Sequence, residues 1–340
     1  MLGQEMREGV ISVILLTEYL ALKLKFVGET SIACLHNREV VHDGSLLIAG
    51  VGGLGSEWAK RAHSRCADEC DLLLVDADDS SFEDSRHAHC LPLGEPSDAG
   101  CAALPELAAS HFMKATAIMD KILAPVELMI LLTALGGGVG SGAAPALAAQ
   151  AARKGALVIT IAAMPFEEHS ARCEIALPAF NRLEDSSDVC AQLSLDRLAW
   201  QARSRGVDWR TRPSWVEELV QGLVLTLGQV GIINLDLMDL RSVVQRKGGA
   251  TMVVAEGDAN DPEGLFLKAL SAPLAGLEVM GASGCLLQLE GGRQMSIYQM
   301  EQVADAFTRG LTDDAQVILG ARHSDDLDGR MRVVAVVSGL

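Results

Sequence analysis

Apolar residues in this chain fall in short unbroken runs, several of which end at glycine or aspartate. Residues 46–49, 72–75, 128–134 and 157–162 are such runs. Runs of four to eight apolar residues bounded by turn formers read as buried strands of a parallel sheet. Between them lie segments of helical composition: 56–69, 106–123 and the alanine-rich 143–152, where Pro145 is tolerated in the first turn. Strands alternating with helices predict an α/β, Rossmann-like domain around a parallel sheet. Residues 214–230 are apolar all round in their C-terminal half and read as a long buried helix. Beyond 249, strands at 252–255, 285–289, 315–320 and 332–337 mix with helices at 264–270 and 300–308, which predicts a second, α+β domain.

The first 45 residues stand apart. Residues 9–17 are apolar but too short to span a bilayer. Residues 19–27 alternate, with Leu20, Leu22, Leu24 and Phe26 on one side and Ala21, Lys23 and Lys25 on the other, as in a half-buried strand. The expected organisation is an extension over 1–45, the α/β domain over 46–213, a core helix over 214–230, and an acidic loop with the C-terminal domain over 231–340. The extension is expected to be a folded addition to the α/β domain, and the protein is not expected to bind liposomes. Residues 128–152 carry no charge, but glycines cluster in their middle and alanine replaces leucine after it, which argues against a membrane span.

Composition narrows the function. The chain has 340 residues, 49% of them hydrophobic, enough for two domains. A net charge of −17 without any basic run argues against nucleic acid and against direct adhesion to anionic lipid. Of eight cysteines only Cys66 and Cys70 are close, with His63 one turn before. No second cluster has zinc-like spacing, so no metal-ligating residue is assigned and the thiols read as structural, suited to a reducing cytoplasm.

Two glycine turns carry the chemistry. Gly50-Val51-Gly52-Gly53-Leu54-Gly55 follows a strand and opens a helix, with acids at Asp76, Asp78 and Asp79 further on. Taken alone it fits a dinucleotide fingerprint. The second turn is Gly136-Gly137-Gly138-Val139-Gly140-Ser141-Gly142, again between a strand and a helix. Missing Cβ atoms let the backbone close on an anion, and free N–H groups at the turn and helix start supply donors.

The second turn, followed by Ala143-Ala144-Pro145, resembles the tubulin/FtsZ signature GGGTGTG-AAP, with Val139 and Ser141 in place of the two threonines. Gly52 and Gly53 match the family's first loop. Asp98-Ala99-Gly100 and Pro105-Glu106 are loosely similar to its phosphate-side loop. Glu168 and Arg172, after Pro165-Phe166, match an acid and an arginine near the nucleotide. Asn234, Asp236 and Asp239 match the acidic loop NxDFxD after the core helix, with Leu237 for phenylalanine. The resemblance covers residues 46–340. It implies GTP and GDP as ligands, Mg2+ as cofactor, and a cytoskeletal GTPase of cell division that polymerises head-to-tail with itself. Catalysis would be completed by the neighbour's Asn234, Asp236 and Asp239. Other FtsZ-like filaments are further candidate partners, a membrane would be reached only indirectly if at all, and no adaptor-binding tail is expected.

The base contacts depart from the family. Leu195 stands where an asparagine reads the base, Ser214 where an aspartate reads guanine, and Glu57 near a third contact. The resemblance therefore implies triphosphate binding more firmly than guanine selectivity. A non-hydrolysing structural or filament-capping relative is the second reading, supported by Val139 and the altered base pocket. A dinucleotide or ATP enzyme is the third, and it leaves the second glycine turn and the acidic loop unexplained.

Overall fold

The computed structural model describes residues 45–340 apart from 84, 86, 95–100, 102, 205, 211–214, 247 and 275–278. These all lie in the unit from His42 to Leu340. The extension and Ser214 fall outside the described residues, as does Asp98-Ala99-Gly100.

Six parallel strands form the first sheet: β1 (Leu46–Val51), β2 (Asp71–Asp76), β3 (His89–Pro92), β4 (Leu128–Ala134), β5 (Leu157–Met164) and β6 (Val189–Ser194). Their spatial order is β3-β2-β1-β4-β5-β6. This is the doubly wound order, in which the strand order reverses between β1 and β4 and opens a crevice at the strands' C-terminal ends. All six residues of β1 and the first six of β4 are buried. A strand covered by helices on both faces has no polar side, which is why these strands read as continuous apolar runs. The register sets Val51 opposite both Val75 and Thr133, so the turns after β1, β2 and β4 emerge at one level.

Helices α1 (Gly53–His63), α2 (Pro105–Lys114), α3 (Thr116–Ile122), α4 (Gly138–Arg153), α5 (Ser170–Glu184) and α6 (Leu195–Ser204) follow or connect these strands. The helix expected over 106–123 is two. Ala115 leaves helical geometry at φ −93° and ψ 2°, and the Thr116 hydroxyl donates to the Met113 carbonyl at 2.7 Å. A β-branched residue whose hydroxyl takes a local carbonyl competes with helix continuation. The helix expected to start at Ser56 begins three residues earlier, on the glycines of the turn itself.

The core helix is α7 (Trp215–Gly228), followed by α8 (Leu237–Val244). The second sheet contains β7 (Ala250–Asp258), β8 (Gly284–Gly291), β9 (Gln316–His323) and β10 (Arg330–Ser338), in the order β7-β10-β8-β9. β10 runs antiparallel to both neighbours, and β8 and β9 are parallel. Helices α9 (Pro262–Leu270) and α10 (Ile297–Thr308) complete this part. A charged cluster joins it to the rest. Glu290 lies between Arg322 and Arg332, with both Glu290 and Arg322 nearly fully buried. Arg322 also donates to Gln229 at 2.6 Å, just past α7, and Gln229 donates to Glu69 at 3.0 Å.

Candidate functional site

The first and second glycine turns meet. Gly52 has φ +76° and Gly136 φ +88°, conformations that side-chain-bearing residues rarely adopt. A Cβ on Gly52 would lie 3.4 Å from the Gly140 nitrogen, so the start of α1 and the first turn of α4 adjoin. Neither helix start has a side-chain cap or an acid in its first turn. Uncapped N–H groups and two positive dipole ends then face one crevice, an arrangement that suits an anion. The adjoining loop residues Cys101 and Ala103 hold φ 56° and 59°, and a Cβ on Gly138 would stand 2.8 Å from the Cys101 carbonyl oxygen. Such left-handed backbone persists where its surroundings over-determine it, as at ligand sites.

A cleft of about 460 Å³ opens there. Gly52, Gly53, Gly137, Gly138, Val139 and Gly140 line its middle, at β1 and β4. Asp76, at the end of β2, closes one side. Pro165, Phe166 and Leu195, at the ends of β5 and β6, close the other with His169, Arg172, Trp209 and Arg210. Asp76 is buried and accepts from the Ala77 amide at 2.7 Å and the Ser81 hydroxyl at 2.5 Å. Burial pushes its carboxyl above the usual aspartate range, and those two donors oppose the shift.

Other expected residues support the cleft without lining it. The Gly136 amide donates to the buried Ser141 hydroxyl at 2.9 Å, so that hydroxyl closes the turn. Gly136 itself packs on Arg172, and Gly142 on Pro105. Glu168 is not among the lining residues; its side chain is 78% exposed and lies 3.7 Å from His169. Glu57 pairs with Arg61 on α1. The sequence reading assigned no role at this site to Trp209 or Arg210. Both sit on a loop, where no periodicity marks a buried face, and only their nearness to the core helix was a signal. Cys66 and Cys70 have their sulfurs 3.8 Å apart in the core, and the His63 ring nitrogen is bonded to the Cys70 carbonyl oxygen at 3.0 Å.

The acidic loop lies at the other end of the sheet. Asp236 caps α8 by accepting from the Asp239 amide at 2.9 Å, and Asp239 accepts from the Asp236 amide at 3.1 Å. Asn234 accepts from the Gly231 amide at 2.6 Å. This is a capping box. Each carboxylate uses one oxygen in it, and Asp236 stays exposed. Arg241 of α8 donates to the Gly155 carbonyl at 2.7 Å and the Glu127 carbonyl at 3.4 Å, just ahead of β5 and β4. The glycine turns leave the far ends of β1 and β4. The seven residues of β4 at ~3.3 Å each place the loop about 23 Å from its own cleft.

Two substitutions separate the cradle's packing from its opening. A Cβ on Gly140 would stand 2.1 Å from the Ala134 carbonyl oxygen, so Gly140→Ala forces the turn apart. A Cβ on Gly137 meets nothing, and its backbone is extended at φ −114° and ψ 176°, so Gly137→Val folds and fills the opening. Gly137→Val is expected to cost about 1 kcal/mol, as a poorer N-cap. It should also weaken anion binding at the turn at least ~100-fold, by filling the space over its N–H groups. Urea titration and equilibrium dialysis read the two effects separately, and tight binding by this variant would show that the anion lies elsewhere.

A doubly wound sheet with two uncapped helix starts at its reversal point defines a nucleotide-binding α/β protein, here carrying a second, mixed-sheet domain. The Tubulin/FtsZ family GTPase-domain model matches residues 45–200, and the FtsZ family C-terminal-domain model matches residues 248–340. The chain belongs to the tubulin/FtsZ family. Cell division protein FtsZ 2 of Halobacterium salinarum is 27% identical over 303 residues, spanning 88% of this chain and 77% of that protein. FtsZ 2 of Methanocaldococcus jannaschii is 24% identical over 303 residues, spanning 87% and 80%. An empty FtsZ dimer from M. jannaschii superposes with a TM-score of 0.76 at 20% identity, over 91% of this chain and 90% of that one. CetZ2 from Haloferax volcanii, a GTPgS-bound protofilament, gives 0.69 at 19% identity, over 87% and 93%.

Proposed function

We propose that this protein binds GTP in the glycine cleft and polymerises head-to-tail. Hydrolysis would be completed by Asp236 and Asp239 of the next subunit. The observation that carries the reading is the placement of cradle and acids at opposite ends of one sheet. A subunit that holds both halves of a site about 23 Å apart can use them only through a neighbour. Repeating that contact with one orientation makes a heterologous, open filament.

The sheet order supports one orientation of the ligand. Phosphates belong at the middle, over the helix starts. The apolar and aromatic end at Phe166, Leu195 and Trp209 suits the base, and stacking on an aromatic contributes about 1–3 kcal/mol. The terminal phosphate then points toward Asp76. A hard oxygen donor there fits magnesium, which takes one or two carboxylates and completes its shell with phosphates and water. Asp76 would hold the ion, whose chemistry is to neutralise developing phosphate charge. The neighbour's carboxylate orients a water on the γ-phosphorus and takes its proton as the phosphorus–oxygen bond to the β-phosphate breaks. Such positioning is worth on the order of 10²–10⁴-fold.

Phosphate release per subunit, measured against protein concentration with GTP, tests this. A shared site makes specific activity rise with concentration to a plateau. Constant specific activity would contradict it, and no release at any concentration would favour the structural relative.

A further inference from the structure

We propose that Arg182 is a positioning residue for the phosphate cradle: its guanidinium takes the Ser141 carbonyl, which Pro145 cannot, and so holds the first turn of α4 in its binding shape. The inference rests on the cleft being a nucleotide site and concerns a residue outside that cleft that sets its affinity.

Pro145 stands inside α4, which begins at Gly138, and not in the first turn expected from the alanine-rich run. An interior proline has no N–H for the carbonyl four residues back, and its ring pushes that carbonyl aside. Here the carbonyl belongs to Ser141, a fully buried residue. A buried carbonyl needs a donor. The Arg182 guanidinium, reaching across from α5, donates to it at 3.2 Å.

Ser141 is thereby gripped twice. Its hydroxyl accepts from the Gly136 amide at 2.9 Å, which closes the glycine turn, and its carbonyl is held by Arg182. Helix α5 also abuts the start of the turn, because a Cβ on Gly136 would meet the Arg172 Cβ and carbonyl oxygen at 2.9 Å. Between the two anchors, Gly137, Gly138, Val139 and Gly140 line the cleft. Arg182 lines a separate groove of about 350 Å³ with Gly142 and Pro145, and that groove shares no residue with the cleft. Arg182 therefore acts on a bound nucleotide through the turn and not by contact. Freeing the Ser141 carbonyl releases one end of the stretch whose N–H groups would receive the phosphates.

Equilibrium dialysis of GTP against the full chain, its Arg182→Met and Pro145→Ala variants, and the double variant carrying both changes tests this. Methionine keeps an apolar stem and has no donor. Arg182→Met should weaken GTP binding about tenfold, the scale of one buried acceptor left without a donor. Alanine at position 145 restores the missing N–H, so Pro145→Ala should bind GTP within about threefold of wild type. The double variant should also return to within about threefold of wild type. That recovery separates positioning from charge, since a backbone N–H does not replace the lost positive charge. Arg182 is exposed, so unchanged thermal melting of Arg182→Met is the expected fold control. Arg182→Met binding GTP as tightly as wild type would overturn the proposal, and so would a double variant as weak as Arg182→Met. Wild type that binds no GTP would instead remove the nucleotide site, and the proposal with it.

Discussion

Asp239→Asn should bind GTP and assemble as wild type does while its turnover falls about 10²–10⁴-fold, the usual worth of a positioned base. The choice of asparagine follows from the capping box. Asp239→Ala would remove an acceptor from the start of α8 as well as a charge. Alanine at the Asp236 cap would cost about 0.5–2 kcal/mol, so lost turnover there could reflect a frayed loop. Asparagine is as good a cap as aspartate and cannot take a proton from water. Asp236→Asn should behave similarly. Phosphate release and sedimentation of assembled protein, measured on one preparation, separate the outcomes. Undiminished hydrolysis in both variants would sink the acidic-loop assignment.

Glu290→Ala should destabilise the second sheet by about 3–5 kcal/mol, because it leaves Arg322 buried without its counter-charge. Arg332 suffers less, since it also pairs with Glu256 at 2.7 Å. Replacing Glu290 and Arg322 together by methionine and leucine should recover most of the loss, because a buried pair is worth little against a packed apolar one. Urea unfolding of the two variants measures both. Equal destabilisation by single and double changes would mean that Glu290 acts through packing and not through charge. The pair's position adds a second consequence. Arg322 reaches Gln229 beyond α7, and Gln229 reaches Glu69 ahead of β2. The cluster therefore links the second sheet to the nucleotide-binding half.

The fold was legible where burial is continuous or backbone demand is extreme. β1 and β4 are covered on both faces, so their runs are apolar throughout. Gly52 and Gly136 stand at positive φ, and the turns could be read from glycine alone. What the sequence reading left unassigned has physical reasons as well. β3 is an edge strand with only Leu91 buried, so it carries no apolar run. β6 alternates buried and half-buried positions over mixed residues. α5 contains Pro178 and buries nothing before Ala176, which hides its periodicity. At the site, Asp76 could be seen as an acid after a strand, but only the sheet order places it beside Gly53. Trp209 and Arg210 come from a loop that the three-dimensional fold folds over the cleft. The acids of the α8 loop match the family's acidic loop in sequence; in the structure they also form a capping box, which leaves one oxygen of each carboxylate uncommitted.

Mixing two inactive variants tests the shared site most directly. Gly137→Val has a blocked cleft and an intact loop, and Asp239→Asn has an intact cleft and a neutralised loop. Each alone should release phosphate at background. Mixed in equal amounts, they form contacts in which an open cleft meets an acidic loop, in roughly a quarter of random pairings along a heterologous filament. Phosphate release should recover toward that fraction of the wild-type rate. A mixture that stays at background, although the two variants co-sediment in one assembly, would contradict hydrolysis across the subunit interface.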